Sequence, residues 1–174
     1  MFIRHRIKWV VAALLGAVLF TPPWARIGTE GRAEIQEHTI RWLYDRYAAR
    51  GTRNGESCFI GLGGSFGANA GDIEMMDPDP AFMARFADFP PGVLPVSKLT
   101  AEEYPPPLMD IEHHRNRWFP IVVGAGNISK LSYWIVSCRG YYYESPYHCG
   151  AYNVYLVRSP TGWKPFFRIV LWTS

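Results

Sequence analysis

Apolar and polar positions along the chain change their period twice. Between Thr29 and Arg50, the residues Ile35, Thr39, Trp42, Leu43, Arg46 and Tyr47 recur at helical spacing. This predicts an amphipathic helix with Gly51 as its C-terminal stop. Its apolar face, mainly Ile35, Trp42, Leu43 and Tyr47, is expected to pack on a sheet. Cys58 to Leu62 then reads as a short buried strand bounded by glycines, and Gly63 to Gly71 as a loop. A second, shorter helix follows, with Asp79 as its cap, Pro80 in the first helical position and Phe82, Phe86 and Phe89 on one face. Pro90-Pro91 ends it. Residues 92–117, with Pro95, Pro105, Pro106 and Pro107, read as an extended surface connection with a short strand at Val96-Ser97.

From Trp118 the period changes to that of strands. Four are predicted: Trp118 to Val123, Leu131 to Tyr143, Ala151 to Arg158 and Trp163 to Trp172. The turns between them fall at Gly124 to Asn127, Glu144 to Gly150 and Ser159 to Gly162. Short connections favour antiparallel neighbours. The expected fold is therefore α+β: an N-terminal helix and a short second helix packed on a mostly antiparallel meander formed by the C-terminal third. Leu131, Tyr133 and Ile135 project to one side of this sheet, Trp134 and Val136 to the other, so both faces carry large apolar groups. One face meets the helices. The other is either covered by the proline-rich connection or forms an aromatic concavity.

The length of 174 residues suits a single domain over residues 26–174, preceded by an export segment over 1–25. Arg4, Arg6 and Lys8 form its basic region and Trp9 to Phe20 its apolar run, which is shorter than the ~20 residues that span a bilayer comfortably. Pro23 fits poorly before a cleavage site at Ala25, so a cleaved signal and a retained signal-anchor both stay open. Contact with a membrane is expected only through residues 9–20 and only if the signal is retained, and the expected location is periplasmic or extracellular. The formal charge of +3 belongs to that segment: removing its three early cations leaves 18 − 3 = 15 positive residues against 15 negative ones. A neutral domain lacks the basic footprint of a nucleic-acid binder.

The three cysteines, Cys58, Cys138 and Cys149, permit at most one disulfide in an exported chain. A hairpin turning near Ser145-Pro146 puts Cys138 opposite residue ~155, several rungs from Cys149. Bridges from Cys58 to either remain open, and no pair has zinc-ligand spacing.

Several short motifs carry candidate chemistry. Gly63-Gly64-Ser65-Phe66-Gly67 matches the nucleophile elbow of α/β hydrolases, and His113, His114 and His148 lie downstream. The helix that an elbow needs after its serine is not supported by Ala68 to Asp72. No phosphate-loop lysine follows the glycines, and no cofactor is expected. Asp110, Glu112, His113 and His114 could ligate a divalent metal, although adjacent histidines in a strand point to opposite faces. Tyr142, Tyr143, Tyr147 and His148 gather aromatic and polar groups at a hairpin tip, where partners bind more readily than at cores, and a strand end whose tyrosines alternate between core and rim accounts for the same residues. Asn127-Ile128-Ser129 is formally a glycosylation sequon.

The order Asp77-Pro78-Asp79-Pro80, Phe86, Pro95-Val96-Ser97, Val123-Gly124, Gly140-Tyr141-Tyr142, Cys149-Gly150, Gly162-Trp163 and Trp172-Thr173-Ser174 resembles a family of small exported bacterial proteins with no assigned function. The resemblance implies an envelope or secreted location and supplies no catalytic residues. The chain departs from the family pattern where Tyr143 stands in place of a cysteine, which puts a local disulfide in doubt. The resulting expectation is a non-enzymatic exported cell-envelope domain that binds a protein partner or a small ligand through Tyr142 to His148. The competing readings are a hydrolase using Ser65 with a downstream histidine and a metal-binding protein using Asp110, His113 and His114.

Overall fold

A computed structural model describes residues 27–48, 58–64, 75–89, 92–99, 121–145 and 148–173. Helix α1 spans Thr29–Leu43 and continues into a π-helical turn at Tyr44–Ala48. Strand β1 is Cys58–Leu62, helix α2 Pro80–Ala84, and strand β2 Val93–Pro95, followed by a single 3-10 turn at Val96–Lys98. Four long strands complete the order: β3 Ile121–Lys130, β4 Ile135–Ser145, β5 His148–Ser159 and β6 Gly162–Thr173.

The strands form one six-stranded sheet in the order β2-β1-β3-β4-β5-β6. The antiparallel meander β3 to β6 is present, and the fold is α+β as its sequence pattern predicts. The sheet as a whole is mixed, because β1 runs parallel to both β2 and β3. It therefore draws on more than the C-terminal third. The continuous apolar run of β1 is the sequence trait of a strand buried on both faces, which is where parallel neighbours occur.

Three boundaries differ from expectation. Strand β4 begins at Ile135, so Leu131, Tyr133 and Trp134 lie in the reversal before it and not on the two faces of the sheet. The short strand near Pro95 is Val93–Pro95, and Val96-Ser97 lies in the 3-10 turn after it. The glycines from Gly124 to Asn127 do not form a turn: β3 runs through them with a register shift between Ala125 and Ile128, and the reversal comes at Leu131 to Trp134. The physical reason is close approach. A Cβ on Gly124 would lie 2.5 Å from Met75 Cε, and one on Gly126 would lie 3.4 Å from both the Gly63 carbonyl oxygen and the Tyr141 ring. Glycine here makes room for what packs on the strand.

Helix α1 lies on the sheet over β3, β4 and β6. Ile35, Thr39, Ile40 and Leu43 are buried beneath it, and Gly140 lets it approach so closely that a Cβ there would lie 2.4 Å from Leu43 Cδ1. The N-terminal half of the helix is anchored to the β5–β6 turn, where the Trp163 amide donates to Glu34 Oε1 at 2.9 Å. Asp79 caps α2 as its position suggests, accepting from the Phe82 amide at 2.8 Å, and Phe82, Phe86 and Phe89 all enter the same core as α1.

The second face of the sheet is covered at one end and exposed at the other. Phe59, Val122, Tyr141, Tyr143, Cys149 and Ala151 form a smaller core there, with Met75, Val96 and Leu99 packed on it. Toward β6, Phe167 and Ile169 remain exposed. This division also separates the cysteines. Cys149 belongs to the second face, whereas Cys58 and Cys138 belong to the helix side. Cys58 pairs with Ile121 and Cys138 with Ile128 across β3. Seven residues of strand put them roughly 20 Å apart. No disulfide joins the three, and burial pushes the thiols of Cys58 and Cys138 up to about 12. Cys138 faces Val154 and Cys149 faces Tyr143, close to the register expected from a hairpin turning at Ser145.

Candidate functional site: an arginine and tyrosine cavity at the end of the first helix

The π-helical turn that ends α1 carries Arg46 and Tyr47 over the sheet near the β4–β5 hairpin. π turns are rare and occur frequently at functional sites. Tyr47 is held between two strand tyrosines, with its ring centroid 5.2 Å from Tyr142 at 28° and 5.0 Å from Tyr152 at 21°. The hairpin brings His148 edge-on, 6.5 Å from Tyr47 and 5.1 Å from Tyr142. From β6, Arg168 stands opposite Val154 and projects to the same side as the helix. Its guanidinium lies over three rings, 5.2 Å from the Tyr47 centroid, 5.3 Å from Tyr152 and 5.6 Å from Trp42. Arg46 lies 5.4 Å from the same Trp42 ring. Arg46, Tyr47, His148 and Arg168 line a cavity of about 490 Å³, a size within the roughly 300–1,000 Å³ of small-molecule sites.

The electrostatics of this cavity are one-sided. Neither Arg46 nor Arg168 has a carboxylate partner among the described residues. Burial lowers the pKa of Arg168, and the charge of Arg46 lowers it further. Stacking satisfies the faces of a guanidinium and leaves its in-plane donors unused. Arg168 Nη1 is buried without an acceptor, and so is the Tyr47 hydroxyl. Glu144, the acid of the adjoining hairpin strand, is already engaged: its Oε2 accepts from Tyr142 Oη at 2.5 Å and contacts His148 Nδ1. Burial raises the Tyr142 pKa, and the hydrogen bond to Glu144 raises it further, so the phenol stays protonated and donates.

The residues singled out in the sequence fall into three groups. Tyr142 forms the wall behind Tyr47, and His148 lines the cavity. Tyr143 is buried on the opposite face of the sheet and takes no part in this site. Tyr147, Ser65, Asp110, His113 and His114 lie outside the described residues, as does the export segment over residues 1–25. Among the described residues no helix is long and apolar enough to cross a membrane, and no three His, Cys, Asp or Glu side chains gather as metal ligands.

Sequence reasoning did not single out Arg168. Its signal was there: it is the lone charge within Phe166-Phe167-Arg168-Ile169-Val170-Leu171-Trp172. A cation in so apolar a strand needs aromatic or anionic company. Arg46 and Tyr47 were visible as members of a helix face. Their convergence with His148 and Arg168 depends on strand register across the whole meander.

No family model, no curated protein and no solved structure matches this chain.

Proposed function

We propose that this chain is an exported, non-enzymatic cell-envelope domain that binds a small ligand in the cavity lined by Arg46, Tyr47, His148 and Arg168. The observation that carries the proposal is a cavity of ligand size walled in part by Tyr47 and Arg168, whose hydroxyl and Nη1 are buried without a hydrogen-bond partner. Exposed concavities with a few convergent polar groups on an aromatic floor are the usual form of small-molecule sites. The hairpin residues Tyr142 and His148, candidates for contact in the sequence, adjoin this cavity. The export reading rests on the basic and apolar pattern of residues 1–25. The test is thermal denaturation of the purified chain against a panel of small anions, neutral molecules and cations, repeated with Tyr47→Ala. A ligand-dependent rise in Tm that Tyr47→Ala abolishes supports the site. A panel of all three charge classes with no such response removes it.

A second reading, a protein partner, is favoured by β6. It is an edge of the sheet among the described residues, and Phe166, Phe167, Ile169, Val170, Leu171 and Trp172 are all exposed on it. Long apolar edges are templates for an added strand. Register shifts at Phe166 and Leu171, together with Pro165, interrupt the edge, which limits such pairing to the stretch between them. Cross-linking and sedimentation of the wild type against Val170→Lys test this reading, and identical behaviour of the two proteins removes it.

A further inference from the structure

The geometry points to an oxyanion as the ligand: we infer that the cavity takes a carboxylate or phosphate group carried on a small organic body, held by Arg46 and Arg168. This inference rests on the binding-site reading above and names the chemistry that site selects.

Three observations carry it. The first is convergence of charge. Two guanidiniums flank one indole ring, at 5.4 Å and 5.6 Å from its centroid, and both line the same cavity. Like charges brought together repel, and burial of Arg168 adds to the cost. The arrangement is sustained by the three rings under Arg168, which attract a cation by their faces and present no acceptor to its N–H groups. An anion is the ligand that relieves both the repulsion and the missing acceptors.

The second observation is how the remaining polar groups are disposed. Glu144 stands beside the site on the hairpin, and Tyr142 and His148 occupy its Oε2. It does not line the cavity. The walls thus offer N–H and O–H donors from two arginines and a tyrosine, with no free carboxylate among the described residues to receive a cation. A guanidinium fork matches the planar pair of oxygens on a carboxylate or phosphate, which Lys could not do.

The third observation is an internal control. Elsewhere on α1, Arg41 also stacks on aromatic rings, 5.1 Å from the Phe86 centroid and 5.5 Å from Phe89. There the chain supplies its own acids, Glu37 and Asp88. Aromatic stacking in this fold therefore does not require an arginine to be left without an acid. At Arg46 and Arg168 the acid is missing from the described residues, and the cavity stands where it would be.

Isothermal titration of the full chain with sodium benzoate, inorganic phosphate, benzamide and benzamidine tests the inference, alongside co-sedimentation with phosphatidylcholine vesicles containing or lacking phosphatidylglycerol. Arg46→Gln and Arg168→Gln are compared with wild type, and circular dichroism establishes that each is folded. The expected result is binding of benzoate or phosphate that falls at least about tenfold in each Gln variant, with benzamide and benzamidine inert. Sedimentation only with phosphatidylglycerol vesicles, lost in both variants, assigns the same oxyanion chemistry to a lipid headgroup. Binding of benzamide or benzamidine instead, abolished by Tyr47→Ala, overturns the oxyanion while leaving the binding site standing. Oxyanion binding that both Gln variants retain, or no binding of any probe, overturns the inference.

Discussion

Two arginine groups stand on helix α1, and they are built on opposite terms. In its last turn, Arg41 donates to Glu37 at 3.0 Å and to Asp88 at 2.8 Å, and Arg85 reaches the same Glu37 at 2.9 Å as well as Glu30. Burial alone would lower the Arg41 pKa, and the hydrogen bonds to Asp88 and Glu37 outweigh it, so the pKa is raised. In the π turn beyond and on β6, Arg46 and Arg168 have aromatic floors and no acid among the described residues, and the Arg168 pKa is lowered. Both groups rest on rings, so aromatic contact is not what separates them. The difference lies in who supplies the anion. The Arg41 group closes the gap between α1 and α2 with residues of this chain, and the Arg168 group leaves that role to something else.

The largest effect expected comes from the floor of the closed group. Phe86 is 2 % exposed, packs against Phe82 and Phe89 and lies under Arg41. Phe86→Ala should cost about 3–5 kcal/mol in urea denaturation, as deletion of a buried ring does. A loss below about 1 kcal/mol would mean that α2 is not docked on α1 as described.

Next in size is a difference of sign between matched substitutions. Arg41→Met removes a cation held by two carboxylates and leaves Glu37 and Asp88 with one partner fewer, so it should destabilise by roughly 1–2 kcal/mol. Arg168→Met replaces a cation without an acid by an apolar chain of similar reach among Trp42, Tyr47 and Tyr152, and should leave stability unchanged or raise it. Chemical denaturation of the two variants side by side decides the matter. Equal losses in both would show that stacking alone holds Arg168 and would erase the distinction between the groups.

The closed group was partly legible in the sequence and the open one was not, and the reason is distance along the chain. The Asp79-Pro80 start of α2 and the shared face of Phe82, Phe86 and Phe89 are local patterns with local causes, and the structure repeats them. The helical period from Ile35 to Tyr47 likewise located α1, although nothing in the period announces that its last turn widens into a π turn. The parallel pairing of β1 with β2 and β3 was hidden, because two short strands carry no mark of their partners' direction. Gly124 and Gly126 misled, since glycine serves close packing inside a strand as readily as it serves a turn. The cavity needs Tyr47, His148 and Arg168 together, and only the completed register of β4, β5 and β6 supplies that.

A finer contrast concerns a single hydroxyl. Tyr47 Oη is buried without a partner, whereas Tyr142 Oη donates to Glu144. Removing a buried hydroxyl that lacks a partner relieves its desolvation, so Tyr47→Phe should stabilise the free protein by about 1 kcal/mol, while Tyr142→Phe should destabilise it by a similar amount. Thermal melts of both variants read this directly. A stability gain at Tyr47 that comes with weaker ligand binding would mark the hydroxyl as retained for function. Destabilisation by Tyr47→Phe would show that the hydroxyl has a partner in the folded protein after all.

The smallest expected effect is in acid, and it separates the two groups by titration. The hydrogen bond from Arg41 holds the Asp88 carboxyl below its ordinary value of 3.8. A depressed carboxyl pKa means that the native state binds the proton less readily than the unfolded chain. Its contribution is therefore present above the unfolded pKa and lost as pH falls through the folded one. Asp77, lowered by its hydrogen bonds from Ser97, titrates in the same range and is common to every variant. The comparison must be a double difference, wild type against Arg41→Met and wild type against Arg168→Met, followed down through about pH 4. The gap between wild type and Arg41→Met should narrow with acid, because protonated Asp88 no longer rewards Arg41. The gap between wild type and Arg168→Met should stay constant, since no carboxylate of the described residues pairs with Arg168. Narrowing in the second series would reveal an acid partner for Arg168 within the chain, and the anion that this site leaves open would then be the protein's own.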